Sequence, residues 1–105
     1  MLELYQLTQL IAIAECGTMS GAAGQLHLSQ PALSRSMQKL EEELQVTLFD
    51  RKKNKIALNQ NGELAVQQAR RVVQQARDLV EQVRALDRSR HTISIGSCAP
   101  APLWR

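Results

Sequence analysis

The chain has 105 residues, 44% hydrophobic but with one Phe, one Tyr and one Trp, so its core has to be built from aliphatic side chains, which suits helices. A formal net charge of +3 permits a polyanionic partner without demanding one. No apolar run approaches the ~20 residues of a membrane span, MLELYQ lacks the basic start of a secretory signal, and the distant Cys16 and Cys98 offer neither metal-ligand spacing nor a disulfide framework.

Along the chain, Leu4, Leu7, Ile11 and Ala14 recur at helical spacing with Leu10 beside them, and Gly17 ends this first helix. Thr18 or Ser20 caps a short second helix, SGAAGQL, in which Gly24 is a poor helix former. His27-Leu28-Ser29 makes the connection. Ser29 then caps a third helix and Pro31 suits its first turn. Leu33, Met37, Leu40 and Leu44 mark the buried face, leaving Gln30, Ala32, Ser34, Arg35 and Lys39 on other faces. Two helices joined by a tight turn have the spacing of a helix-turn-helix.

After Leu44 the pattern changes. Val46–Phe49 and Ile56–Leu58 read as two short strands around a basic loop, a wing, which carries Arg51, Lys52, Lys53 and Lys55. Asn59 or Asn61 caps a last helix over about 62–88, ~40 Å long. Its apolar positions Ala65, Ala69, Val72, Ala76, Leu79, Val83 and Leu86 form a seam at heptad period, widened by Val66, Val73 and Val80. So long a helix outruns a small domain, and a second copy of the chain is the natural partner for the seam. Thr92–Gly96 reads as a lone strand.

These pieces, in this order, resemble the N-terminal DNA-binding region of LysR-type transcriptional regulators. The resemblance is carried by AA-x-x-L at Ala22 to Leu26, SQPALSR at Ser29 to Arg35, LE at Leu40-Glu41, LF-x-R at Leu48 to Arg51, and Gly62 at the start of the last helix. It implies a mainly α fold: a winged helix-turn-helix of three helices and a two-stranded β wing, followed by a long linker or dimerisation helix. The expected division is residues 1–60 for the DNA-binding domain, 61–89 for the linker helix and 90–105 for the start of an effector-binding domain. Three positions depart from the family pattern: Gln45 where Gly is usual, Gly24 in place of a better helix former, and Asn59 where Thr is usual. Each is expected to carry a small stability cost.

The chemistry of the residues agrees with the resemblance. An α-helix fits the major groove of DNA and reads base edges with its N-terminal residues. Ser29, Gln30 and Ser34 offer short or planar polar tips; Gln30 can pair with adenine, and Arg35 with guanine or phosphate. Pro31 can touch a thymine methyl. Lys39 lies next to this set, and Thr18 and Ser20 can bond phosphates. The wing's Arg51, Lys52, Lys53 and Lys55 are expected on the backbone or in the minor groove.

The expectation is a homodimer on a pseudo-palindromic site of double-stranded DNA in the bacterial cytoplasm, without a cofactor, metal, membrane or small-molecule effector. No catalytic constellation is present: Glu41-Glu42-Glu43 reads as solvated charge, and His27 and His91 have no ligand partners at metal spacing. The alternative is an interaction module that pairs with full-length relatives through the linker helix.

Overall fold

A computed structural model of the chain describes the backbone of residues 1–52 and 55–93 and the side chains of residues 1–50 and 56–90. The element order is α1 (Leu4–Cys16), α2 (Met19–Leu26), α3 (Gln30–Leu44), β1 (Phe49–Lys52), β2 (Lys55–Leu58) and α4 (Gln60–Ile93). This is a winged helix-turn-helix followed by a long helix.

The helices end where local chemistry stops them. Gly17 closes α1 in the left-handed region, φ 82°, and its N–H bonds the Ile13 carbonyl. The Thr18 side chain caps α2 by accepting from the Gly21 N–H at 3.0 Å, and the Ser29 hydroxyl caps α3 by accepting from the Ala32 N–H at 3.2 Å. The ends of α2 and α3 share one design. His27, φ 59°, and Gln45, φ 60°, are both left-handed. In each case the next residue's N–H reaches back five residues, Leu28 to Ala23 and Val46 to Glu41.

The core of the first unit, Met1–Val73, lies where α1, α2 and α3 meet. Leu10, Ala22, Leu33 and Leu40 are fully buried there, joined by Met37 and Leu48. Truncating a side chain such as Leu40 to Ala costs about 2–5 kcal/mol, several times the value of any single cap. Two expected core residues are absent from it. Leu4 and Leu44 are 46% and 41% exposed; Leu4 is the first residue of α1 and Leu44 the last of α3. Gln6 is buried in their stead, and its Oε1 accepts from the Glu3 N–H at 2.9 Å.

The wing begins later than the sequence suggests. Val46 to Leu48 precede it, and β1 pairs antiparallel with β2 in the register Phe49↔Leu58, Asp50↔Ala57, Arg51↔Ile56, Lys52↔Lys55. Leu48 is held instead by both its backbone groups: its N–H donates to Glu41 Oε2 at 2.7 Å, and its carbonyl accepts from the Asn59 N–H at 3.0 Å. Glu41 is therefore a structural acceptor rather than solvated charge. Asn59 is likewise engaged at both ends of its amide. Its Oδ1 caps α4 by accepting from the Gly62 N–H at 2.8 Å, and its Nδ2 donates to the Thr47 carbonyl at 3.1 Å.

α4 begins at Gln60 and continues to Ile93, so Thr92 and Ile93 are helical and not the start of a strand. Ser94 to Gly96, the rest of that expected strand, lie outside the described residues. Packing assigns the first turns of α4, through Val73, to the same unit as α1–α3, and a second unit starts at Gln74. The boundary of packing thus falls later than residue 60, because Gly62, Val66 and Ala69 are buried in the first unit.

Two glycine-linked positions give tests. A Cβ on Gly62 would overlap the Leu48 carbonyl oxygen and stand 2.7 Å from Leu58 Cδ2. Gly62→Ala is expected to lose about 1–3 kcal/mol of stability in urea titration; an unchanged midpoint would contradict this packing. Conversely, Gln45→Gly is expected to gain about 0.5–1 kcal/mol, since relief of left-handed strain outweighs the added freedom of the unfolded chain. A lower unfolding midpoint would show that the Gln45 side chain contributes something else.

Candidate nucleic-acid interface

The inward face of α3 sets what its outward face presents. With Leu33, Met37 and Leu40 buried, Pro31, Ser34, Arg35 and Gln38 recur at i, i+3, i+4 and i+7 on the opposite side. Gln30, Pro31, Arg35, Gln38 and Lys39 are exposed, and Ser34 is half-buried. Gln38 was not singled out from the sequence. Its signal was there, four residues beyond Ser34 on the same stripe.

The stripe's chemistry changes along the helix. Its N-terminal half carries amide, hydroxyl and guanidinium groups, whereas Glu42 and Glu43, both exposed, end it with negative charge. An anion is favoured at the first half for two reasons: the side chains, and the helix N-terminus itself. Arg70 Nη1 pairs with Glu15 Oε2 at 3.0 Å, and the N-terminal ammonium pairs with Glu43. Neither involves Arg35 or Lys39, so both cations stand free of acidic partners.

The remaining expected site residues fall into four groups. Ser29 and Thr18 are exposed but already engaged as caps, leaving hydroxyl protons to donate outward. Ser20 is exposed on the first turn of α2. Arg51, Lys52 and Lys55 lie on the paired strands, where the described structure covers backbone alone. Lys53 lies outside the described residues. Among the described residues no cluster of His, Cys, Asp or Glu could hold a metal ion. Cys16 is half-buried with its Sγ donating to Gln25 Oε1. No helix among the described residues is long and apolar enough to cross a membrane.

The seam expected on α4 divides in two. Gly62, Val66 and Ala69 turn into the core of the first unit with Val73 packed against it. Ala69 is 2% exposed, so its methyl is consumed by the chain's own core and is not surface for a partner; Ala65 is half-buried at the edge of that core. Val72 is exposed. In the second unit Ala76 is half-buried, while Leu79, Val83 and Leu86 are exposed, Leu79 by 62%. The sequence pattern merged the two stripes because both repeat at nearly the same period.

The profile of bacterial regulatory helix-turn-helix proteins of the lysR family matches residues 4–63. The chain is 44% identical over 71 residues to the HTH-type transcriptional regulator TcbR of Pseudomonas sp. (strain P51), which is 68% of this chain and 24% of TcbR. It is 41% identical over 71 residues to the HTH-type transcriptional regulator ClcR of Pseudomonas putida, again 68% of this chain and 24% of that protein. The chain thus spans about a quarter of the length of these relatives. Its fold is similar to that of the crystallised CbnR_DBD–DNA complex, with a TM-score of 0.78 at 40% identity, covering 82% of this chain and 99% of that one. It is also similar to the BenM_DBD/catB site 1 DNA complex, with a TM-score of 0.79 at 29% identity, covering 86% of this chain and 97% of that one.

The caps can be separated from the rest of the surface by stability. Ser29→Ala and Thr18→Ala are each expected to cost about 1 kcal/mol, whereas Ser20→Ala is expected to change the urea midpoint little. Equal losses at all three positions would contradict the capping assignment.

Proposed function

Because the chain belongs to the LysR family of bacterial helix-turn-helix transcriptional regulators, we propose that it binds duplex DNA in a sequence-specific way, with the N-terminal half of α3 in the major groove. The observation that carries this reading is the outward stripe of Pro31, Ser34, Arg35 and Gln38, with the exposed Gln30 beside it, held outward by the burial of Leu33, Met37 and Leu40. Arg35 pairs with guanine through two hydrogen bonds, Gln30 and Gln38 pair with adenine, and Pro31 packs on a thymine methyl. Ser29, Thr18 and Ser20 donate to backbone phosphates and fix the register. The wing residues Arg51, Lys52, Lys53 and Lys55 add phosphate contacts or enter the minor groove. Relatives of the same fold crystallised as DNA complexes support this assignment.

Two copies bind one site. The dimer contact is the α4 stripe of Val72, Ala76, Leu79, Val83 and Leu86, at spacings of 4, 3, 4 and 3. Four of these five are exposed in the single chain, and large apolar side chains at heptad spacing are seldom left in water without a partner. A two-fold pair presents two recognition helices, so the DNA site is a pseudo-palindrome. The same stripe supports a second reading, pairing with longer relatives into mixed dimers.

The test is selection of duplexes from a random pool, followed by fluorescence anisotropy at two salt concentrations. One pseudo-palindrome is expected to be enriched. Arg35→Ala is expected to lose about 1–3 kcal/mol of discrimination at the guanine position while keeping salt-dependent binding. No enrichment, or identical selectivity in wild type and variant, would overturn the reading and leave the mixed-dimer function to be tested with a relative.

A further inference from the structure

A shallow groove of about 280 Å³ runs between α1 and α3, lined by Tyr5, Gln9, Leu28, Ala32, Arg35, Ser36 and Lys39. Its walls are two helical stripes. Tyr5 and Gln9 are one turn apart on α1, and Ala32, Arg35, Ser36 and Lys39 follow i, i+3, i+4 and i+7 on α3. Ala32 contributes only a methyl group to the α3 wall, and Leu28 lines the groove as well. The walls are tied together at one point, where the Ser36 hydroxyl donates to Gln9 Oε1. Two cations, Arg35 and Lys39, line the groove with no acid among its lining residues. Tyr5 is 55% exposed, so its hydroxyl is open to a partner.

The groove lies on the flank of the stripe that reads bases. Arg35 belongs to both, while Lys39, Ser36 and Ala32 face α1. A helix seated in the major groove has a phosphate backbone on either side of it, because that groove is only about 12 Å wide. The α1-facing flank of α3 therefore meets one of these backbones.

We propose that this groove is a seat for a single DNA backbone phosphate, bonded by the Tyr5 hydroxyl from α1 and the Lys39 ammonium from α3, with Arg35 reaching from the seat to the bases. The inference rests on the placement of α3 in the major groove and adds α1 to the interface. Tyr5 then acts as a neutral donor and Lys39 as the counter-charge. Gln9 and Ser36 position the two helices without touching the DNA.

The roles predict different signatures. On the selected duplex and on a scrambled one, Tyr5→Phe is expected to weaken binding about 3- to 10-fold alike, with the salt slope unchanged, since a hydroxyl displaces no counterion. Lys39→Ala is expected to weaken both duplexes and to lower the slope of log K against log salt by about 0.9. In the Lys39→Ala background the Tyr5→Phe effect shrinks, because both donors serve one phosphate. A single neutral methylphosphonate, scanned along the duplex, is expected to erase both effects at one position. Tyr5 is exposed, so the phenylalanine variant retains the fold, which circular dichroism verifies. Wild-type affinity for Tyr5→Phe, or additive effects that no single methylphosphonate erases, would overturn the seat. If Arg35→Ala still loses selectivity in that case, the reading of α3 stands; failure of the wild type to bind any duplex overturns both.

Discussion

Burial of Leu33, Met37 and Leu40 against α1 and α2 is the constraint on which the surface of this protein depends. Each such side chain, taken out of water, contributes about 1.5–3 kcal/mol. Together they fix the rotation of α3 about its own axis. Caps set instead where the helix starts and ends, at about 1 kcal/mol apiece. The same packing that stabilises the domain therefore aims Gln30, Ser34, Arg35 and Gln38 at solvent. The Ser36–Gln9 hydrogen bond adds a polar pin between α3 and α1 outside the apolar contact.

Leu48 plays a comparable role for the rest of the first unit. Its side chain is buried, its N–H is taken by Glu41 and its carbonyl by Asn59, and that carbonyl sits where a Cβ of residue 62 would be. One residue thus joins the end of α3, the start of the wing and the start of α4. Asn59 and Asn61 both donate to the adjacent Thr47 carbonyl, at 3.1 Å each. The orientation of α4 at its start follows, and with it the division of its apolar residues between the core and the uncovered stripe. Arg70 and Glu15 add an exposed ion pair between α4 and α1, of a kind worth little by itself.

Local chemistry was readable from the residues alone. Ser29 and Pro31 at the start of α3, Gly17 after α1, and the spacing of Leu33, Met37 and Leu40 act within one or two turns, and the structure keeps them in those roles. What was not readable depends on partners distant in sequence. Leu44 continues the spacing of the buried face, but it is the last residue of α3 and is exposed. Glu41 looks like its acidic neighbours until the Leu48 N–H is brought to it. Ala69 fits a heptad seam as well as it fits a core, and only the seating of Gly62 against Leu48 decides between them. For the candidate interface, the stripe on α3 followed from periodicity, whereas the contribution of Tyr5 needed the packing of α1 beside α3.

The most direct measurement is an NMR titration of the isotopically labelled chain with its selected duplex, following backbone amides and the Tyr5 ring. The account predicts the largest shifts at Gln30 to Arg35 and Gln38 on α3, a distinct shift at Tyr5, and little change at Glu42 to Val46, where α3 turns acidic and ends. Shifts concentrated at Glu42 to Val46, with Gln30 to Arg35 unmoved, would place the DNA on another face and contradict the account.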